Sequence, residues 1–190
     1  KIGERIIKLE RHILQLANTD SLTGVLNRRA FTERMEEEVH RCRRENRTFS
    51  LIMTDIDYFK KVNDRYGHSV GDLVLQRFAE QLTGSTRPYD KVARYGGEEF
   101  VVGLLGSGQH QSGSVAERLR KNVEEMKIPL PDGSQSIQIT ASFGTASFLL
   151  EPEESVNSLI KRADDALYRA KDEGRNRVCT SENSIYEKTG

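Results

Sequence analysis

The segment Phe49–Asp57, FSLIMTDID, limits what this chain can fold into more than any other. It is a nearly continuous apolar run that closes on two aspartates. Such a run predicts a strand buried on both faces, with function gathered at its C-terminal edge. The segments around it supply the layers that would bury it. A helix is expected from about Asn27 to Glu45, with Ala30, Phe31, Met35 and Val39 on one side. Further helices are expected over 58–66, ending at Gly67, and over Val70–Leu82. Lys91–Tyr95 and Glu98–Leu105 predict a hairpin closed by Gly96-Gly97, because both glycines can take φ > 0 without steric cost. GSGQHQSGS over 106–114 reads as a polar loop, followed by a helix over 115–127, a strand over 136–149, a helix over 155–173 and a short strand over 176–179. This order predicts an α+β fold, a mostly antiparallel central sheet flanked by helices. The hairpin should lie beside the 49–57 strand, bringing its turn close to Asp55 and Asp57.

Three units follow along the chain: a helical stalk over 1–17, a catalytic domain over 18–179 and a polar tail over 180–190. In the stalk, Ile2, Ile6, Leu9, Ile13 and Leu16 are spaced four, three, four, three. That stripe suits a coiled-coil-like dimeric helix or an amphipathic helix packed on its own domain. Asn18-Thr19-Asp20-Ser21 breaks the periodicity, and Gly24 marks a turn. The chain starts at Lys1 and is read as a piece of a longer protein. No run of some 18 apolar residues is present, so nothing in the sequence spans a membrane as a helix. Cys42 and Cys179 lack metal-ligand spacing and are expected to be free thiols in a reducing compartment, the cytoplasm. The 29 basic and 29 acidic residues cancel, which argues against a nucleic acid polymer as partner. A small phosphate-bearing molecule needs only local positive charge.

That local chemistry is present. Asp55 and Asp57 at a strand end, facing Glu98 and Glu99 at a hairpin turn, would repel one another unless a cation neutralised them. Oxygen-rich sites of this kind suit Mg²⁺ or Mn²⁺, which keep positions open for substrate phosphates. Alternation puts Glu98 and Glu99 on opposite sides of a regular strand, so only one need face the metal directly, while Asp55 and Asp57 share a face. Lys60, Lys171 and Arg175 are cations able to neutralise a triphosphate. Asn63 and Asp72 offer an amide and a carboxylate, the groups that read the N1–H and N2–H₂ edge of guanine. Together these residues predict a metal-dependent nucleotide enzyme.

Four stretches carry a resemblance. They are DSLTGVLNRR at 20–29, DIDYFKKVNDRYGHSVGD at 55–72, RYGGEEF at 94–100 and KRADDALYRAKDEGRNRV at 161–178. In this order and spacing they resemble the GGDEF family of diguanylate cyclases, over about 18–178. The resemblance implies a ferredoxin-like sheet similar to that of nucleotide cyclases, and a homodimer in which each domain presents one GTP. It also implies an upstream sensory or receiver domain, through which any membrane attachment of the full-length protein would come.

The resemblance further implies that Asp55 and Glu98 hold the metals, with the Ile56 carbonyl helping. Glu99 would assist as metal ligand or as base for the 3′-hydroxyl, two roles that stay open. Asn63 and Asp72 would bind guanine, His68 would line the pocket, Lys60 would stabilise transition-state charge, and Lys171 and Arg175 would meet the phosphates. Glu stands where the family motif has Asp at its third position, an accepted variant; Asp57 would be structural support. Arg87-Pro-Tyr-Asp90 matches the family's Arg-x-x-Asp inhibitory motif, with Arg118 as a second arginine, which implies feedback by cyclic di-GMP. Two other readings remain. A degenerate sensor would have a broken turn or missing carboxylates, and here both are intact. A dimerisation module with an idle pocket is separated by assaying turnover.

Overall fold

Strand β2, Phe49–Ile56, is buried at all eight positions. It lies inside a six-stranded sheet of order β1-β3-β4-β2-β7-β8 in a computed structural model that describes residues 17–133 and 135–181. The Ile2–Leu16 stripe and the tail beyond residue 181 lie outside the described residues. The remaining strands are β1 (Leu26–Asn27), β3 (Lys91–Arg94), β4 (Glu99–Leu105), β7 (Ala141–Ser147) and β8 (Val178–Thr180), with β5 (Ile128–Pro129) and β6 (Ser136–Ile137) forming a separate pair. Helices α1 to α5 span Arg28–Glu45, Phe59–Tyr66, His68–Gly84, Gln109–Glu125 and Val156–Asp172.

The period of two in β2 sends its side chains into two cores. Ile52 and Ile56 join Phe78, Phe100, Leu119 and Phe143 on the side of α3 and α4. Leu51 and Met53 join Phe31, Met35, Leu159 and Ala163 on the side of α1 and α5. The sheet is antiparallel at β2–β4, β2–β7 and β3–β4, and parallel at the outer pairs β1–β3 and β7–β8. This is the expected α+β architecture. Its register is what matters for chemistry: Asp55 faces Glu99 on β4 and Ser142 on β7.

Three local expectations need correction. The polar stretch 106–114 is mostly helix, because α4 starts at Gln109. The Gln111 side chain accepts from the Gly108 amide at 2.9 Å, capping the start, and Ser112 is fully buried with its hydroxyl on the Gln109 carbonyl at 2.8 Å. The strand expected over 136–149 is two strands, β6 pairing with β5 and β7 joining the main sheet. Ile137, Ile139 and Ala141 keep one apolar alternation through the break and are all buried, so periodicity carries no sign of it. Finally, neither Gly96 nor Gly97 has a positive φ. At the C-terminal end, β8 continues through Thr180, and the Ser181 amide donates to the Thr145 carbonyl at 2.7 Å. Among the described residues no helix is long and apolar enough to cross a membrane.

Candidate active site

Asp55 is the last residue but one of β2 and is itself buried. Its carboxylate receives Lys171 Nζ, from the last turn of α5, at 2.8 Å. Burial pushes the Asp55 carboxyl above its ordinary value, and the Lys171 ammonium pulls it back only in part. Desolvation wins over one close cation, as it does where a charge has lost most of its water. Glu98 is raised too, first by burial and then by the neighbouring Asp55 charge, with Glu99 adding repulsion. The Ile56 amide reaches the Glu98 carbonyl at 3.4 Å, so the β2 edge and the hairpin turn are joined here. The structure therefore brings Asp55, Ile56, Glu98, Glu99 and Lys171 to one place.

The turn is built for its carboxylates. Tyr95 and Gly96 amides both donate to the Glu99 carbonyl, at 2.7 and 3.2 Å. A Cβ on Gly96 would press against the Glu99 carboxylate, so a larger residue there would move that side chain end. Arg94 then braces the turn from outside. It donates to the Gly97 carbonyl at 2.7 Å and to Asp20 Oδ1 at 3.2 Å. Asp20 is also held by the Thr23 amide and hydroxyl, at 2.9 and 2.6 Å. Asp20 and Arg94 lie within the DSLTGVLNRR and RYGGEEF stretches, yet nothing local in the sequence pairs them across 74 positions.

Asn63 on α2 and Asp72 on α3 lie on either side of the Gly67 break between the two helices. Gly67, at φ 83, caps α2 through its amide on the Asn63 carbonyl at 2.8 Å. The Asn63 carboxamide lies where a Gly71 Cβ would be, so the bare glycine lets it rest on α3, at the residue before Asp72. Asp72, His68 and Lys60 are exposed.

Arg175 follows α5 in a left-handed run: Gly174, Arg175 and Asn176 have φ of 119, 65 and 48. Its guanidinium carbon stands 4.7 Å from the centre of the Tyr58 ring, on which Lys61 also packs at 4.1 Å. Asp57 holds this loop in place. It accepts from Thr140 and Ser142 hydroxyls at 2.7 Å each and from the Asn176 amide at 3.0 Å. Asp57 is thus occupied by hydrogen bonds, which fits the structural role expected of it.

The Arg-x-x-Asp segment is a tight turn at the end of the β3–β4 hairpin away from its Gly96-Gly97 turn. Asp90 Oδ2 accepts from the Arg87 amide at 3.0 Å and Oδ1 from the Leu105 amide at 3.3 Å. The exposed Arg87 guanidinium bonds Tyr89 Oη at 3.0 Å. Arg118 reaches the Ser85 carbonyl at 3.0 Å, just before the turn. A cleft of about 600 Å³ adjoins it, with Arg34, Arg87 and Lys91 on its walls.

Among the described residues no three His, Cys, Asp or Glu side chains form a ready-made metal cage. Mg²⁺ does not need one, since it commonly binds one or two carboxylates plus substrate phosphates. Two carboxyls pushed up by burial, with Lys171 as the close cation, form an oxygen donor set short of positive charge. That set fits a hard divalent ion.

A family model for the GGDEF domain of diguanylate cyclases matches residues 17–177, and the chain belongs to that family. Diguanylate cyclase A of Treponema denticola is 42% identical over 176 residues, 91% of this chain and 47% of that protein. Response regulator PleD of Caulobacter vibrioides is 40% identical over 167 residues, 88% of this chain and 37% of PleD. The chain thus spans less than half the length of either relative. The coiled coil and GGDEF domain of DgcB from Caulobacter crescentus, in complex with c-di-GMP, superposes with a TM-score of 0.87 at 32% identity, covering 94% of this chain and 93% of that one.

Proposed function

We propose that this chain condenses two GTP into cyclic di-GMP and two pyrophosphates, as a homodimer whose domains each present one GTP. The observation that carries this reading is the register setting Asp55 opposite Glu99, with Glu98 inside the field of Asp55. Asp55, Glu98 and the Ile56 carbonyl would hold Mg²⁺ or Mn²⁺, which when bound offsets phosphate charge and favours a deprotonated 3′-hydroxyl. Asn63 and Asp72 grip the guanine edge, with His68 beside them. Lys60, Lys171 and Arg175 balance the triphosphate. Glu99 acts at the same centre, as ligand or as acceptor of the 3′-hydroxyl proton. Each O3′ attacks the α-phosphorus of the other GTP, the bond to the bridging oxygen breaks, and pyrophosphate leaves. Positioning and charge neutralisation suffice for such a transfer.

Product binding at Arg87, Asp90 and Arg118 would give feedback inhibition. Each Asp90 oxygen keeps a lone pair for guanine N–H donors after accepting its backbone amide, and exposed Arg87 can fork onto O6 and N7. The DgcB complex with c-di-GMP supports product binding by such a domain. The greater length of the relatives leaves room for a sensory or receiver region, which we place upstream, and this domain is proposed to work in the cytoplasm.

Incubation with GTP and Mg²⁺, followed by chromatography, tests the reading. Wild type should yield cyclic di-GMP and Glu99→Gln none. GTP left intact by an assembled wild-type dimer would reject it.

A further inference from the structure

Arg175 is the triphosphate cation hardest to hold. It is a non-glycine residue at φ 65, a region that such residues seldom occupy. Its peptide follows the end of α5, with the Arg175 amide on the Ala170 carbonyl at 2.9 Å. Unrestrained, the loop has no reason to keep Arg175 at the site.

The next residue supplies the restraint. Asn176 has three polar groups engaged, each by a different partner. Its amide donates to Asp57 Oδ2 at 3.0 Å, its Nδ2 donates to Glu124 Oε1 at 2.7 Å, and its Oδ1 accepts from Arg120 Nη1 at 2.9 Å. Arg120 is fixed in turn by a two-pronged bond to Glu117, at 3.0 and 2.9 Å, and by Glu124 at 2.9 Å. Its side chain is only 13% exposed. A half-buried, fully paired guanidinium makes a stiffer anchor than a surface pair, which loses much of its hold to solvent. Tyr58, itself at φ 56, provides the platform on which the Arg175 guanidinium rests.

We propose that Asn176, clamped by Arg120 and Glu124 of α4 and by Asp57, is the positioning residue that presents Arg175 to the GTP triphosphate. The inference rests on the proposed function in one respect, that Arg175 meets those phosphates. Asn176 touches no reacting atom. It acts through Arg175 alone, and that dependence makes it testable.

The test is a double-mutant cycle read in binding and in turnover. Asn176→Gly keeps the left-handed backbone accessible and its amide on Asp57, while deleting the side-chain bonds to Arg120 and Glu124. Arg120→Gln attacks the same clamp from α4, a different element. Titration with a non-reacting GTP analogue and Mg²⁺ is expected to show each variant weakened about tenfold, the scale of one charge-assisted hydrogen bond. KM for GTP should rise similarly while kcat changes less. In an Arg175→Ala background neither variant should weaken binding further. Thermal melts identify any variant that fails to fold, and the other then completes the cycle. Unchanged affinity in the folded variants would overturn the proposal, as would losses that add to that of Arg175→Ala. Wild type that binds GTP without making cyclic di-GMP would refute the cyclase reading and leave the binding cycle decisive. Wild type that binds no GTP would overturn both.

Discussion

Arg94 ties Asp20, where the chain enters the domain, to the carbonyl of Gly97 at the tip of the β3–β4 turn. One guanidinium spans residues 74 positions apart in sequence and the turn three residues ahead. Any strain delivered through the entering segment therefore meets the hairpin that carries Glu98 and Glu99.

The first prediction concerns that tie and pH. Burial pushes the Asp20 carboxyl up, but bonds from Thr23 and the Arg94 charge more than offset it, leaving it below the ordinary 3.8. A carboxyl lowered by folding adds stability that is full above its unfolded value and lost as pH falls through its folded value. Asp20→Asn should therefore lower Tm by roughly 3 °C at neutral pH. The gap should close as pH falls below 3.8. A gap independent of pH in calorimetric scans would count against an ionic tie.

Asp57 should matter more for stability than for chemistry. Asp57→Ala strips the acceptor from two hydroxyls and one amide in a buried setting. The expected loss is about 3 kcal/mol in urea unfolding, because stranded buried donors cost more than a bond returns. A loss under about 1 kcal/mol would mean that water replaces the carboxylate.

Much of the site was legible in the sequence because its parts are short-range. Asp55 and Asp57 end an apolar run, Asn63 and Asp72 straddle Gly67, and Glu98 and Glu99 follow two glycines. Strand β2 was legible for the same reason, as an uninterrupted buried segment. The clamp on Asn176 was not. It joins residues 119, 56 and 52 positions apart, and no local pattern announces such a meeting. The start of α4 escaped because glycine, serine and glutamine read as loop, whereas Gln111 caps the helix and Ser112 is buried in it. The glycines suit the turn because both can take positive φ, yet neither does, and Gly96 instead lies against the Glu99 carboxylate.

Base choice should depend on Asp72. A carboxylate there accepts guanine N1–H and N2–H₂, and adenine offers no matching donors. Asp72 is exposed, so water moderates the penalty. Asp72→Ser should cut the preference for GTP over ATP by about tenfold or more, measured as a ratio of kcat/KM in competition. An unchanged ratio would place base recognition elsewhere.

Feedback should be separable from turnover. Arg87→Ala removes an exposed guanidinium at the end of the β3–β4 hairpin away from its Gly96-Gly97 turn. It should leave initial rates intact and abolish inhibition by added cyclic di-GMP. Inhibition that persists unchanged would show that the product acts at the active site instead.

The central claim, that two domains each supply one GTP to a shared reaction, is tested most directly by stoichiometry. Pyrophosphate and cyclic dinucleotide are counted together while the protein is diluted through its dimerisation range. The account predicts two pyrophosphates per cyclic di-GMP and a rate that falls with the square of protein concentration once monomers prevail. One pyrophosphate per cyclic mononucleotide, or a rate per chain unaffected by dilution into monomers, would contradict it.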